Sequence, residues 1–400
     1  MKTKTWEINK LEEVCEILDN KRVPISSKNR ISGIYPYYGA SGIVDYIDKY
    51  IFDEELVLIG EDGAKWGAFE NSAFIAQGKY WVNNHAHILK PNNEVLINKF
   101  LVYFLNYSNL EKYITGATVK KLNQQKLKQI EILLPPLEEQ MRIVKILDSA
   151  FASIDRSIEL VKANLANLDE LAKSVLDRAF NPLGDSTEST QNPSTHDAQS
   201  PYPLPQHWEW KTLGEIGDII TGSTPSKNNP KFYGNDYPLF KPSDLGSGNT
   251  IKASDNLSKL GFESARKLPK NTLLVVCIGA SIGKIGLSGI IGSCNQQINA
   301  IIPSPNVLSK YLFFVCHSKY FQSILKKNAS QTTLPIINKT EFSKLEIPLP
   351  KDIKEQEQIA MHLDSVFDKI QKLKELYSAQ LQDYEELKQS LLTQAFSGKL

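Results

Sequence analysis

Apolar residues recur at spacings of three and four through two stretches of the chain. The first runs Ile143, Leu147, Ala150, Ile154, Ile158, Val161, Leu165, Leu168, Ala172, Val175 and Ala179. The second runs Ile359, Leu363, Val366, Ile370, Leu373, Tyr377, Leu381, Tyr384, Leu387, Leu391 and Ala395. A stripe of this period, kept this long, predicts two heptad-like helices. Prolines stand just ahead of each stretch and none inside, as expected at a helix start. A 42-residue helix is about 63 Å long. Neither helix can leave its stripe in water, and the nearest partner is the other one, held at high effective concentration in the same chain. The stripe does not set whether the pair runs parallel or antiparallel.

Elsewhere the pattern is of short apolar runs separated by Gly, Asn and Ser turns. Glu55–Ile59, Ala86–Leu89, Leu273–Ile278 and Asn299–Ile302 read as strands, and Asn98–Asn106 and Ser309–Phe314 as short helices. The fold class expected is α+β: two mixed α/β globular units in tandem, each followed by a long helix. The expected boundaries are 1–137 for the first unit, 138–180 for its helix, 181–205 for a flexible linker, 206–350 for the second unit and 351–400 for its helix. The linker is rich in Ser, Thr, Pro and Asn.

The two halves are copies. Glu139–Phe180 and Glu355–Phe396 align without a gap at an offset of 216, with 18 identities in 42 positions. Common residue usage would give about 3. The heads align at an offset of 202, Trp6-Glu7, Leu11, Glu13 and Val14 against Trp208-Glu209, Leu213, Glu215 and Ile216. The second globular unit is therefore 14 residues longer (216 − 202). Between head and helix the likeness is faint but ordered. Gly60…Gly63-Ala64-Lys65-Trp66-Gly67 parallels Gly279…Gly283-Lys284-Ile285-Gly286, and Asn84-His85-Ala86-His87 is set against Asn295-Gln296-Gln297-Ile298. Conserved helices with diverged globular units suit a fixed scaffold carrying two different readers.

Composition narrows the class. A hydrophobic share of 41% and a net charge of +1 describe an ordinary folded protein, not a polycation. No apolar run is long enough to span a membrane, and Met1 to Lys10 lacks an apolar signal core, so the cytoplasm is expected. Cys15, Cys277, Cys294 and Cys316 have no metal-like spacing and read as reduced structural thiols. Charge is nevertheless uneven. Ser264 to Thr340 holds nine basic residues and no acid, and Lys112 to Ile130 holds five and no acid. Amides and hydroxyls are interleaved: Thr115, Thr118, Asn123, Gln124 and Gln125 in one, Ser330, Gln331, Thr332 and Thr333 in the other. Lys and Arg attract phosphate, while Asn, Gln, Ser and Thr can read base edges. The candidate DNA contacts are Tyr37, Tyr38, Ser41, Lys65, Lys120, Lys121 and Asn123 in the first unit. In the second they are Thr221, Ser223, Thr224, Lys227, Lys284, Gln331, Thr332 and Thr333.

Catalytic look-alikes fail on spacing. Gly279-Ala280-Ser281-Ile282-Gly283-Lys284 is one residue short of a phosphate loop, with Ile285 where a magnesium-holding hydroxyl belongs. Asn229-Pro230-Lys231-Phe232 lacks the second proline of an amino-methyltransferase site. His85 and His87 would need further metal ligands, and Glu61-Asp62 before Lys65 lacks a nuclease partner carboxylate.

The plan and the local text resemble the specificity subunit of type I restriction–modification enzymes. Tyr37-Tyr38-Gly39-Ala40-Ser41-Gly42, Gly60-Glu61-Asp62-Gly63-Ala64 and Asn84-His85-Ala86-His87 resemble one class of target-recognition domain; Thr221-Gly222-Ser223-Thr224-Pro225-Ser226 and Asn295-Gln296-Gln297 resemble another. The most specific shared text is Leu134-Pro135-Pro136-Leu137-Glu138-Glu139-Gln140. The second copy departs from it by Lys351-Asp352 ahead of Ile353. The resemblance implies a non-catalytic subunit with two target-recognition domains, each reading half of a bipartite asymmetric site in double-stranded DNA. It implies antiparallel pairing of the helices, which would set the spacer and dock two copies of a modification (methyltransferase) subunit, and a separate ATP-dependent restriction subunit. S-adenosylmethionine, ATP and Mg are then expected on those partners and no cofactor on this chain. From the residues alone, a scaffolding or assembly adaptor without sequence-specific DNA binding stays open, as does an enzyme with an unrecognised site.

Overall fold

The computed structural model describes residues 6–116, 118–184, 201–246, 252–330 and 334–400. The chain forms two compact units, Met1–Lys162 with Tyr377–Leu400, and Ala163–Leu376. Both long helices, Leu137–Phe180 and Ile353–Phe396, are therefore shared between the units.

In the first unit a four-stranded antiparallel sheet has the order Cys15–Ile17, Ala86–Pro91, Leu56–Gly60, Ala73–Ala76. Leu56–Gly60 is buried along its whole length, which accounts for its unbroken apolar run. A second sheet takes Gly42–Ile47, Ser32–Gly39, Lys79–Val82 and Phe52–Asp53. Glu7–Lys10 pairs with Glu131–Leu134 and ties the head of the unit to the root of the first long helix.

The second unit repeats the plan. Gly217–Thr221, Ile298–Pro303, Leu273–Val276 and Ile285–Leu287 form the antiparallel sheet, again with a fully buried strand, Leu273–Val276. Asp255–Leu257, Tyr233–Phe240 and Ser293–Cys294 form the smaller sheet, and Trp208–Thr212 pairs with Glu346–Pro350. The helices Asn98–Tyr107 and Ser309–His317 occupy matching places.

Within each unit the two long helices run antiparallel. In the first, Lys388 bonds Asp155 at 2.6 Å; in the second, Lys374 bonds Asp169 at 2.5 Å. Each unit is capped by the end of the helix that began in the other half of the chain. Phe396 lies against Phe100, Phe104 and Tyr107, and Phe180 lies edge-on against Tyr311. The apolar stripe is not uniformly buried. Leu147 and Leu363 are fully buried, whereas Leu373 and Leu387 stay exposed. Phe180, Leu392 and Phe396, off the stripe, are buried instead, because the globular cores also claim helix surface.

All four cysteines are free and buried. Burial pushes the Cys15, Cys277 and Cys294 thiols up to about 12, so they are inert packing groups.

Candidate nucleic-acid interface

In the first unit three loops meet at one end of the main sheet. The loop after Leu56–Gly60 turns so tightly that a Cβ on Gly60 would come within 2.3 Å of the Ala64 Cβ. The Trp66 indole donates to the Gly60 carbonyl at 3.0 Å and closes the loop from inside. Glu61 N–H donates to the His85 carbonyl, and Leu122 N–H donates to the Glu61 carbonyl, both at 2.8 Å. The glycine loop is thus stitched to the 83–86 turn on one side and to the 115–122 segment on the other.

A buried ionic network lies beneath these loops. His87 shares Nδ1 with Asp19 at 2.6 Å and Nε2 with the Leu122 carbonyl at 2.6 Å. Glu61 takes Lys121 at 2.7 Å and also the Arg22 guanidinium, which donates to the Ala86 carbonyl at 2.9 Å. Burial raises both carboxyls. For Asp19 the hydrogen bond and charge of His87, then Arg22 and the Ile88 N–H, outweigh it. For Glu61 the hydrogen bonds from Lys121 and Arg22, with the charge of His87, do the same. Both are held below the ordinary carboxylate range. Asp19, Glu61 and His87 bring potential ligand atoms within 4.8 Å of one another. Arg22 and Lys121 already supply the positive charge a metal would, so the cluster reads as structural.

Lys65 and Lys120 line one cleft of about 600 Å³ between the glycine loop and the 114–120 loop, with Thr118 and Val119 beside them. Lys121 is committed to Glu61, and Asn123 caps the helix Gln124–Lys128 by accepting the Lys126 N–H at 2.9 Å. Ser41 is exposed at a hairpin tip. Tyr38 is half-buried against Phe74 and Tyr80. Tyr37 is buried: its hydroxyl accepts the Ile25 N–H at 3.0 Å and Arg30 lies over its ring. Its side chain therefore belongs to the core.

The second unit builds the same corner largely from neutral side chains, with one charged group, the Arg266 guanidinium, donating to the Thr221 carbonyl. A Cβ on Gly222 would strike the Asn295 carbonyl at 2.1 Å, so only glycine lets the Thr221–Lys227 loop close on the Asn295 turn. Thr221 donates to Asn299 and Thr224 to Gln296, both at 2.7 Å, while Ser223 accepts the Arg266 N–H at 3.1 Å. Lys227 and Lys284 are exposed. Four backbone amides of the Gly279–Lys284 turn are used within the protein. Gly279 N–H donates to Pro335, Ile282 N–H to Gly279, Gly283 N–H to Val276 and Lys284 N–H to Ser281. Gln331, Thr332 and Thr333 lie outside the described residues; Pro335, just beyond them, accepts the Gly279 N–H of this turn. Asn338 caps the next helix as Asn123 does.

Comparing the corners corrects the sequence alignment by one residue. The Asn83 side chain accepts the His85 N–H as that of Asn295 accepts the Gln297 N–H. Asn83, not Asn84, is therefore the counterpart of Asn295, and His87 of Asn299. The pair Asp19–His87 then matches Thr221–Asn299. Asp19 and Arg22 escaped the sequence reading because 42 and 39 residues separate them from Glu61 (61 − 19 and 61 − 22) and no motif joins them. The exposed side chains Ile31, Ile34, Val44 and Tyr46 on the hairpin strands and their approach were also missed, though their alternation with polar residues carried a signal.

The acid-free stretches are less basic in space than in sequence. Lys310 bonds Asp364 at 2.6 Å, Lys267 bonds Glu263 at 2.5 Å, and Lys112 faces Glu131 at 3.9 Å. Among the described residues no helix is long and apolar enough to cross a membrane.

The profile of the type I restriction modification DNA specificity domain matches residues 3–168 and again 205–381. The chain is 29% identical over 377 residues to one assigned as a type I restriction enzyme specificity subunit in Haemophilus influenzae, covering 88% of this chain and 86% of that one. It is 24% identical to the MjaVIII specificity subunit of Methanocaldococcus jannaschii, over 99% of this chain and 93% of the other. Among solved structures, a chain described with the assembly and conformational transition of a type I R-M system superposes with a TM-score of 0.74 at 20% identity, covering 99% of both chains. The HsdS subunit of Thermoanaerobacter tengcongensis gives a TM-score of 0.58 at 19% identity, covering 100% of this chain and 98% of that one. These two share the fold. The chain belongs to the type I restriction–modification DNA specificity family, and is a specificity subunit rather than a catalytic one.

Proposed function

We propose that each globular unit reads one half of a bipartite, asymmetric site in double-stranded DNA, and that the long helices set the spacer and dock two methyltransferase subunits. The observation that carries this reading is the loop corner built twice on one backbone plan with different polar side chains. It rests on the ionic network Asp19, Arg22, Glu61, His87 and Lys121 in one unit and on Thr221, Thr224, Gln296 and Asn299 in the other. Equal frames with unequal surfaces suit two different half-sites. The helices do the opposite and repeat their outward faces. Leu160 and Leu376 are both exposed, and so are Leu171 and Leu387, each pair separated by 216 residues. Two equal apolar faces suit two copies of one partner. S-adenosylmethionine, ATP and Mg would then be held by the partner subunits, and the restriction subunit would join the same assembly. An adaptor without DNA reading gives no reason for the corners to diverge while the helices stay alike.

The test is to assemble the chain with its modification subunit and map methylated adenines genome-wide. A defined bipartite motif is expected, and replacing residues 206–350 by those of another specificity subunit should alter one half of it only. Absence of any motif refutes the DNA-reading assignment, and a change in both halves refutes its modular form.

A further inference from the structure

The first corner presents one polar pair that belongs neither to the buried network nor to the lysine cleft. His85, on the 83–86 turn, places its Nδ1 2.5 Å from a carboxylate oxygen of Asp62 in the glycine loop. The backbone fixes both partners. The His85 carbonyl accepts the Glu61 N–H at 2.8 Å, and the His85 N–H donates to the Asn83 side chain at 2.8 Å. Asp62 is bridged to Lys121 of the 115–122 segment. The His85 ring is nevertheless half exposed, while Asp62 behind it is mostly covered. Among the described residues its Nε2 has no partner, and no third metal ligand stands with the pair.

The second unit treats the matching position differently. With Asn83 answering to Asn295, the counterpart of His85 is Gln297. Its amide is used inside the protein, accepting from the Asn295 side chain at 3.0 Å and donating to the Ile278 carbonyl at 3.5 Å. An imidazole held from behind at one nitrogen, with the other nitrogen open, is thus a feature of the first corner. Lys65, in the same loop as Asp62, and Lys120 line the adjoining cleft, so the pair stands beside the groups that attract phosphate.

We infer that His85 reads a base edge in the half-site of the first unit, as the acceptor for an exocyclic amino group of adenine or cytosine; this rests on the proposed reading of DNA by that unit. A carboxylate can only accept from Nδ1, so Nδ1 keeps its proton and the neutral ring carries its lone pair on Nε2. Adenine N6 and cytosine N4 are the donors that the major groove offers to such a lone pair. A phosphate suits the pair poorly. With the ring neutral the pair is net negative, and with the ring protonated it has no net charge, so neither state draws an anion. Asp62 is the positioning residue: it sets the tautomer and the tilt of the ring. Because the backbone holds both partners in place, little freedom is lost when a base arrives.

The experiment uses the chain assembled with its modification subunit. Methylated adenines are mapped for the native chain, His85→Ala and Asp62→Asn, and each complex is titrated with a duplex bearing the native motif. His85→Ala should relax one base pair of one half-site, leave the other half intact and weaken binding about 10-fold. Asp62→Asn admits either ring tautomer, so the same base pair should then tolerate keto as well as amino edges. The sharper arm deletes the amino group at that base pair, replacing adenine by purine or cytosine by pyrimidin-2-one. The deletion should weaken the native complex about 10-fold more than it weakens the His85→Ala complex. Whichever replacement shows that difference identifies the base. His85 is half exposed and Asp62→Asn is nearly isosteric, so both variants keep the fold, which circular dichroism verifies. An unchanged motif in His85→Ala, or an equal effect of amino deletion on both complexes, overturns the inference. A salt slope lowered by about 1 with the motif unchanged does so too, since it marks a phosphate contact. A native complex without any motif refutes the underlying DNA reading, whereas a native motif indifferent to His85 refutes the role of His85 alone.

Discussion

Gln140 and Gln356 are buried copies of one another that perform the same task in the two units. The Gln140 side chain accepts the Ile97 N–H at 3.0 Å and donates to the Val95 and Pro135 carbonyls at 2.8 Å. Gln356 accepts the Leu308 N–H at 2.9 Å and donates to the Asn306 and Pro350 carbonyls at 3.2 and 3.0 Å. Each glutamine locks the first turn of a long helix to the loop that precedes a short helix of its globular unit. Replacing either by alanine strands three buried backbone groups. Each substitution should cost about 1–3 kcal/mol or more in chemical denaturation. Similar losses are expected for Q140A and Q356A; a negligible loss in either would remove its role as an anchor.

The capping phenylalanines make a more local prediction. Phe396 closes the first unit and Phe180 the second, so each truncation to alanine should cost about 3–5 kcal/mol. Hydrogen exchange should then separate them. F396A should speed exchange chiefly in Asn98–Tyr107, and F180A chiefly in Ser309–His317. The reverse pattern would contradict the shared-helix architecture.

The network under the first corner links stability to pH. Asp19 and Glu61 are held below their ordinary range, so the folded state binds fewer protons than the unfolded state near that range. Their contribution is present above the unfolded carboxyl values, about 3.9 and 4.3, and is lost as pH falls below those through the lower folded values. Urea midpoints followed downward through about pH 4 should fall faster in the native chain than in an Asp19→Asn, Glu61→Gln double variant. Parallel curves would show that the network is not protonation-linked.

Lys65 and Lys120 should act on DNA through charge rather than base identity. In the assembled complex, removing both should lower the slope of log affinity against log salt by about 2 while leaving the methylated motif unchanged. An altered motif with an unchanged slope would instead make them base readers.

Much of the architecture was legible beforehand because it is periodic or repeated. The helices declared themselves by a stripe of threes and fours, the buried strands by unbroken apolar runs, and the duplication by identity at a constant offset. The corner residues were legible only in part. Thr221 and Thr224 stand in a recognisable glycine–hydroxyl loop, yet their partners Asn299 and Gln296 lie more than seventy residues away. Tyr37 was misplaced as a surface group because a tyrosine before a turn looks alike whether its ring faces solvent or the core.

The sequence by itself determined that there are two frames and two long helices, since hydrophobic period and internal identity are local, additive signals. Only the tertiary structure decided which half of each helix belongs to which frame, because that choice depends on Phe180 and Phe396 finding cavities lined by residues far away in the chain. It also decided that His87 meets Asp19 rather than solvent. Those outcomes are set by shape and charge brought together across the fold, and no spacing along the chain encodes them.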